Sequence, residues 1–370
     1  MTDAPSYLNL ALSSDANYFI GLETAVASAI TASHKNTRVF NIFIIDGGIT
    51  QEQQQQLKSL TDELSERYEI EVHLHWRSLD EKNRSKLSGL KDSATFYVRI
   101  ILADLLPDYD WALWIDSDVL CLKDLSGIQN HLDGNTPVYG VVDSERPTLA
   151  DEGQNIDKLN SNDFDLRTPY INTGFTLIDL KLWRKERLGD QLIDWGIRHQ
   201  HYTGFRDQAQ VNWMLADRNQ LLPDGYNVLV PRSTCSAHEF DSPANLHYAG
   251  PFKPWKPSIK VNPKYTAQSV RNIISTYKFC AFRHQEMGRR EIDLLQQLLT
   301  LAQQLYAHLT SRTVRFYCAV KPLFYQLVRD QERYQRWQVI HEFFKQEADQ
   351  EAVRIKKIID QTEALIKTSR

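Results

Sequence analysis

The stretch Trp111-Ala-Leu-Trp-Ile-Asp116-Ser-Asp118 decides how the chain is read. Five apolar residues in a row, two of them Trp, form a buried strand that runs straight into two acids at i and i+2. In an extended chain those two positions project to the same side. Carboxylates held that close repel, and burying them unpaired is costly, so the pattern asks for a divalent cation. Oxygen ligands suit Mg²⁺, Ca²⁺ or Mn²⁺. The competing reading is a pair of solvated loop acids, because D-x-D also arises by chance.

Upstream of this strand, strand-like and helix-like patterns alternate. Tyr7–Leu12 is a short apolar run ended by Ser13, Ser14 and Asp15, which predicts a strand and a loop. Ile20 to Ala32 sets Leu22, Val26 and Ile30 on one helix face. Val39–Ile45 is a second strand, stopped by Asp46-Gly47-Gly48. Thr50 and Gln53 form a capping-box pattern that opens a polar helix to about Tyr68. Ile70–Trp76 predicts a third strand, and Ala94–Leu106 a helix stopped by Pro107. Such alternation with short loops predicts an α/β sheet covered by helices on both faces. Sheets of this kind bind ligands at the carboxyl ends of their strands, where Asp15, Asp46 and Asp116 all fall.

The length of 370 residues allows about two domains. A hydrophobic share of 42% with 24% charged residues excludes disorder. Cys121, Cys235, Cys280 and Cys318 are scattered without a C-x-x-C pair, which argues against a zinc ribbon or disulfide framework and fits a reducing compartment. Met1–Ile30 lacks the pattern of a secretion signal. The least polar long window, Leu294–Ser311, is interrupted by Gln296, Gln297, Gln303 and Gln304, so it reads as a surface helix and not a span. The expected location is therefore cytoplasmic.

Net charge is −4, and its distribution is uneven. Residues 1–255 hold 23 Lys and Arg against 36 Asp and Glu (−13); residues 256–370 hold 20 against 11 (+9). Pro254, Pro257 and Pro263 mark the change of character, and from about Glu291 the pattern is mainly helical. In the tail, Arg312, Arg315, Lys321, Arg329, Arg333 and Arg336 are interspersed with Phe316, Tyr317, Phe324, Tyr325, Tyr334 and Trp337. That is a pattern for an anionic membrane surface, with a solvated helix face or an oligomer contact as the competing readings. Nucleic acid is not expected as a partner, because the acidic body would repel it.

A second chemistry-bearing stretch is His247-Tyr-Ala-Gly250-Pro-Phe-Lys253-Pro-Trp255. It offers an imidazole for a metal, a glycine that lets backbone approach a ligand, and a lysine for phosphate oxygens. A proline-rich surface loop with a satisfied histidine is the bland alternative. A D-x-D after a strand also fits phosphatases of the haloacid-dehalogenase type, but those carry Thr or Val where this chain has Leu120. Neither G-x-G-x-x-G after a strand nor G-x-x-x-x-G-K-[ST] is present.

Together, H-x-x-G-x-x-K-P-W and W-I-D-S-D resemble glycosyltransferase family 8, the bacterial lipopolysaccharide α-galactosyl- and α-glucosyltransferases with glycogenin as a distant member. Four further stretches match in order: Ser14-Asp15-Ala16-Asn17-Tyr18, Thr95-Phe96-Tyr97-Val98-Arg99, Tyr170-Ile-Asn172-Thr-Gly174 through Arg184, and Asp207-Gln208. The family's D-Q-D ends here in Ala209, so the second acid of that pattern is absent from this position. The resemblance implies a GT-A type nucleotide-diphospho-sugar transferase fold over residues 1–256, a mixed central sheet flanked by helices. Residues 257–370 would form a mainly helical extension.

It further implies retaining transfer of galactose or glucose from a UDP-sugar to a glycan or lipid-linked saccharide acceptor. Asp116, Asp118 and His247 would ligate Mn²⁺, with Mg²⁺ as the alternative; an imidazole in the set favours manganese. Asp15 and Asn17 would hold uridine, with Ser117 beside the metal acids and Gly250 and Lys253 on the diphosphate. Arg99, Asn172, Asp207 and Gln208 would surround the donor sugar, and Asp143 would lie near sugar and acceptor. A metal-dependent phosphatase or nucleotidyltransferase, or a nucleotide-sugar-binding module without turnover, are the alternatives.

Overall fold

The computed structural model describes residues 6–91, 94–152, 155–160, 163–202, 204, 206–230, 245–251, 253–256, 266–289, 292–310 and 350–368. They form two compact units, Met1–Ala249 and Gly250–Arg370.

In the first unit, β1 (Tyr7–Ser14), β2 (Val39–Asp46), β3 (Glu71–Ser78), β4 (Trp111–Ile115), β6 (Val138–Val142), β7 (Ile171–Asp179) and β8 (Asn219–Leu221) form one sheet in the order β3-β2-β1-β4-β7-β6-β8. The pairs β1–β2, β2–β3, β1–β4 and β6–β8 are parallel, whereas β7 runs antiparallel to both β4 and β6. All five residues of β4 and all nine of β7 are buried. That fits strands covered on both faces, which read as continuous apolar runs and not as alternation. Helices Phe19–Ser33, Gln51–Tyr68, Leu188–His199 and Arg206–Met214 pack around the sheet. The expected mixed α/β architecture is the observed one. Thr50 and Gln53 make both reciprocal bonds of the capping box that opens the helix Gln51–Tyr68.

One predicted element is different. Residues 94–106 are not one helix but two 3₁₀ turns, Ala94–Phe96 and Val98–Ile101, followed by a single α-turn, Leu102–Leu105. Thr95, Phe96, Tyr97, Val98, Ile100 and Ile101 are β-branched or aromatic and lose rotamer freedom in an α-helix. Tyr97, Val98, Ile100 and Ile101 are also all buried, so packing, and not helix propensity, sets the backbone here.

Two features carry the first unit's chemistry. Between Gly140 and Val141 of β6, the partner on β7 jumps from Thr176 to Asn172. Thr173, Gly174 and Phe175 therefore drop out of the β6 ladder. Phe175 pairs with Ile115 of β4, and Gly174 accepts a 2.8 Å bond from the Asp116 amide. Irregularities of this kind re-aim side chains next to active sites. The second feature is a small sheet of β5 (Val119–Leu120), β9 (Val228–Leu229) and β10 (Leu246–His247) in the order β5-β10-β9. Val119 pairs with His247, and the Tyr248 amide bonds the Asp118 carbonyl at 2.9 Å. Asn245, fully buried, locks this sheet: its Oδ1 accepts from the amides of Leu122 and Lys123, and its Nδ2 donates to the Tyr226 carbonyl.

The described part of the second unit includes helices Thr266–Met287, Ile292–Thr310 and 350–368. Val270, Ile273, Phe279, Leu295, Leu298, Ala302, Ile355 and Ile359 are buried in it. The basic and aromatic tail residues from Arg312 to Trp337 lie outside the described residues, as do Pro257 and Pro263. Among the described residues no helix is long and apolar enough to cross a membrane.

Candidate active site

The three proposed metal ligands converge. Asp116 follows β4 directly, Asp118 precedes β5, and β10 pairs back on β5 to deliver His247. One ligand atom from each lies within 4.8 Å of the others. Nε2 of His247 stands 3.3 Å from Oδ1 of Asp118 and 3.8 Å from Oδ2 of Asp116. His247 is 3% exposed, and the side chains of Asp118 and Asp116 are 12% and 29% exposed. Two carboxylates and one imidazole in a partly closed site make a donor set that fits a divalent cation.

Asp116 uses its two oxygens differently. Oδ1 accepts from Nη2 of Arg99 at 3.0 Å and from Nε1 of Trp114 at 2.8 Å, which turns Oδ2 toward His247. Arg99 lies over the Trp114 ring at 4.9 Å, donates to the Thr173 carbonyl and sets Nε 2.6 Å from Oδ2 of Asp207. Its guanidinium thus ties two carboxylates together. Burial pushes the Asp207 carboxyl up to about 6, against the pull of Arg99 and with a further upward push from Asp116. Asp207 falls in the first turn of the helix Arg206–Met214, buried and paired rather than solvated.

Asp143, Asn172 and Gln208 form a triangle of side chains. Nδ2 of Asn172 and Nε2 of Gln208 both donate to Oδ2 of Asp143, at 3.1 and 3.0 Å. Oε1 of Gln208 accepts from Nδ2 of Asn172 and from the Thr173 amide. Oδ1 of Asp143 accepts from the amides of Glu145 and Arg146, so the carboxylate is held at both ends. Neither Asp143 nor Gln208 is free to swing.

The remaining predicted residues are Asp15, Asn17, Ser117, Gly250 and Lys253. Asp15 caps a 3₁₀ turn, its Oδ1 accepting from the amides of Asn17 and Tyr18; Asn17 is exposed. Ser117 is buried and donates to the Ser13 carbonyl, which ties the D-x-D loop to the end of β1. Gly250 and Lys253 belong to the second unit. There Gly250 adopts φ +77°, a left-handed conformation that favours glycine, and Lys253 is 4% exposed.

Sequence reasoning missed Asn227. It is 3% exposed, its Oδ1 lies 3.0 Å from Nδ1 of His247, and its Nδ2 donates to Oδ1 of Asn172 at 2.9 Å. No motif surrounds it; a polar residue followed by the apolar Val228-Leu229-Val230 was the available signal.

The pattern described as glycosyl transferase family 8 matches residues 9–258. A lipopolysaccharide 1,2-glucosyltransferase of Escherichia coli is 26% identical over 278 residues, covering 72% of this chain and 78% of the relative. A lipopolysaccharide 1,3-galactosyltransferase of Salmonella typhimurium is 25% identical over 270 residues, covering 69% and 74%. In fold, the chain is similar to the crystal structure of the galactosyltransferase LgtC in complex with donor and acceptor sugar analogues. The TM-score is 0.56 at 18% identity, over 70% of this chain and 100% of that one. With a match across two thirds of its length, arranged on a GT-A type sheet, the chain belongs to glycosyl transferase family 8.

Proposed function

We propose that the chain is a retaining, metal-dependent hexosyltransferase that moves galactose or glucose from a UDP-sugar to a glycan or lipid-linked acceptor. Its setting is lipopolysaccharide or other cell-surface polysaccharide synthesis. The observation that carries this reading is the convergence of Asp116, Asp118 and His247 within 4.8 Å. The family match and the named glucosyl- and galactosyltransferase relatives support the hexose class.

Asp116, Asp118 and His247 would hold Mn²⁺, or Mg²⁺ less well. The ion supplies positive charge against which a departing diphosphate is stabilised. Residues 1–256 would do the catalytic work. Asp15 and Asn17 would bind the nucleoside end, with Ser117 beside the metal acids. Arg99 holds Asp116 and Asp207 in fixed relation, so the acid that meets the ion and the acid proposed to face the sugar cannot drift apart. Gln208, pinned by Asp143, Asn172 and the Thr173 amide, is suited to orient the anomeric carbon and not to attack it. Retention then follows from acceptor attack on the face from which UDP departs.

The basic, aromatic segment within residues 311–349 is proposed to rest on the inner leaflet from the cytoplasmic side. Pelleting with liposomes that contain or lack anionic lipid tests this; equal or absent pelleting rejects it.

For the reaction itself, the protein is incubated with UDP-glucose or UDP-galactose in manganese or in chelator. Metal-dependent release of UDP from one donor is expected. Release of orthophosphate, or equal UDP release in chelator, would overturn the reading.

A further inference from the structure

Nδ1 of His247 and Oδ1 of Asn227 lie 3.0 Å apart, both side chains buried. The backbone sets the direction of that bond. The Gly174 N–H can only donate, and it meets Oδ1 of Asn172 at 3.1 Å. Nδ2 of Asn172 therefore faces the other way, toward the Asp143 carboxylate, which accepts it. Oδ1 of Asn172 takes a second bond, from Nδ2 of Asn227 at 2.9 Å. Asn227 is thereby oriented with its oxygen toward the imidazole, and an oxygen there accepts only from Nδ1–H. In a neutral ring one nitrogen donates and the other accepts. Nε2 is then the bare nitrogen, and it is the one that faces Asp118 and Asp116.

We propose that Asn227 is a positioning residue for ion binding. Its side-chain carbonyl holds neutral His247 in the Nδ1–H tautomer and presents Nε2 to the ion, through a chain of bonds that starts at the Gly174 amide. The inference rests on the reading of His247 as an ion ligand. Partners of this kind orient metal-binding histidines, and losing one typically costs about 10–100-fold in metal affinity.

Two variants separate this role from a merely structural one. Asn227→Leu removes the acceptor at Nδ1. Asn227→Asp keeps an acceptor there, but it replaces the donor to Asn172 by an oxygen and adds a negative charge. The first readout needs no metal: ¹⁵N NMR of histidine ring nitrogens in the metal-free protein, at a pH where the rings are neutral. The His247 signal is identified by its loss in His247→Gln. The second readout is calorimetric titration of Mn²⁺ in the presence of UDP.

The wild type and Asn227→Asp are expected to show the Nδ1–H pattern, and Asn227→Leu to lose it. Asn227→Leu should bind Mn²⁺ about 10–100-fold more weakly, with Asn227→Asp much closer to wild type. An Nε2–H pattern in the wild type overturns the proposal whatever the metal result, and does so even if Asn227→Leu fails to fold. A folded Asn227→Leu with wild-type tautomer and affinity overturns it too. An Nδ1–H pattern without Mn²⁺ binding in the wild type overturns the ion-site reading, and the role of Asn227 with it. That outcome is distinct from failure of the bond chain, because the tautomer signal survives.

Discussion

Gly174 and His247 leave no room for a side chain between them: a Cβ on Gly174 would stand 2.2 Å from Cε1 of the imidazole. It would also lie 2.9 Å from Nδ1 of the same ring and from Oδ2 of Asp116. This glycine is required by space. Gly174→Ala should push two of the three proposed ligands apart, at a stability cost of about 1–3 kcal/mol for an overpacked interior. Calorimetry with UDP in manganese should show the metal-dependent part of the affinity gone. Unchanged metal dependence would mean that these side chains do not bind an ion together.

Asp118→Asn keeps the shape of the side chain and removes its charge. Thermal denaturation should move little, because the change relieves repulsion between neighbouring carboxylates. Metal-dependent UDP release should be lost. A variant with full activity in manganese would remove Asp118 from the ligand set.

Arg99→Ala should destabilise the fold by about 3 kcal/mol, the cost of leaving buried carboxylates without their partner. Arg99 and Asp207 have side chains only 13% and 10% exposed, which is why this pair is worth more than a surface salt bridge. Urea unfolding at neutral pH measures it. A loss within about 0.5 kcal/mol, the range of an ordinary surface substitution, would show that the guanidinium does not hold these acids.

Asp207 predicts a pH dependence of stability. Its carboxyl titrates at about 6 in the folded chain, against about 3.9 when unfolded. The folded state therefore keeps its proton longer, and stability contributed below pH 4 is lost as pH rises through 6. The difference corresponds to about 3 kcal/mol. Relative to Asp207→Asn, the wild type should lose stability between pH 4 and 7. Parallel stability curves for the two proteins across that range would contradict the assignment.

Much of the first unit was legible because its signals are local. Val39–Ile45 and Trp111–Ile115 are unbroken apolar runs, and Thr50 with Gln53 is a complete cap. The observed elements follow them to within a residue. Residues 94–106 were misread because an apolar run beside a proline stop looks helical, whereas the backbone there follows the packing of Tyr97, Val98, Ile100 and Ile101 on all sides. Strands β5, β9 and β10 have two residues each, too short for any periodicity to show. The meeting of Asp116, Asp118 and His247 was expected from an ordered set of motifs and not from spacing. Asn227 had no such motif, because its role arises only from what folding brings against it: His247 on one side and Asn172 on the other.

The pairing of Val119 with His247 has a consequence for synthesis. A chain still emerging from the ribosome carries both aspartates and most of the large sheet long before residue 247 has been added. Until that histidine arrives and β10 closes on β5, the acids have no imidazole beside them. The complete Asp116, Asp118 and His247 cluster is thus among the last features this unit acquires, and a nascent fragment that ends before residue 247 lacks it.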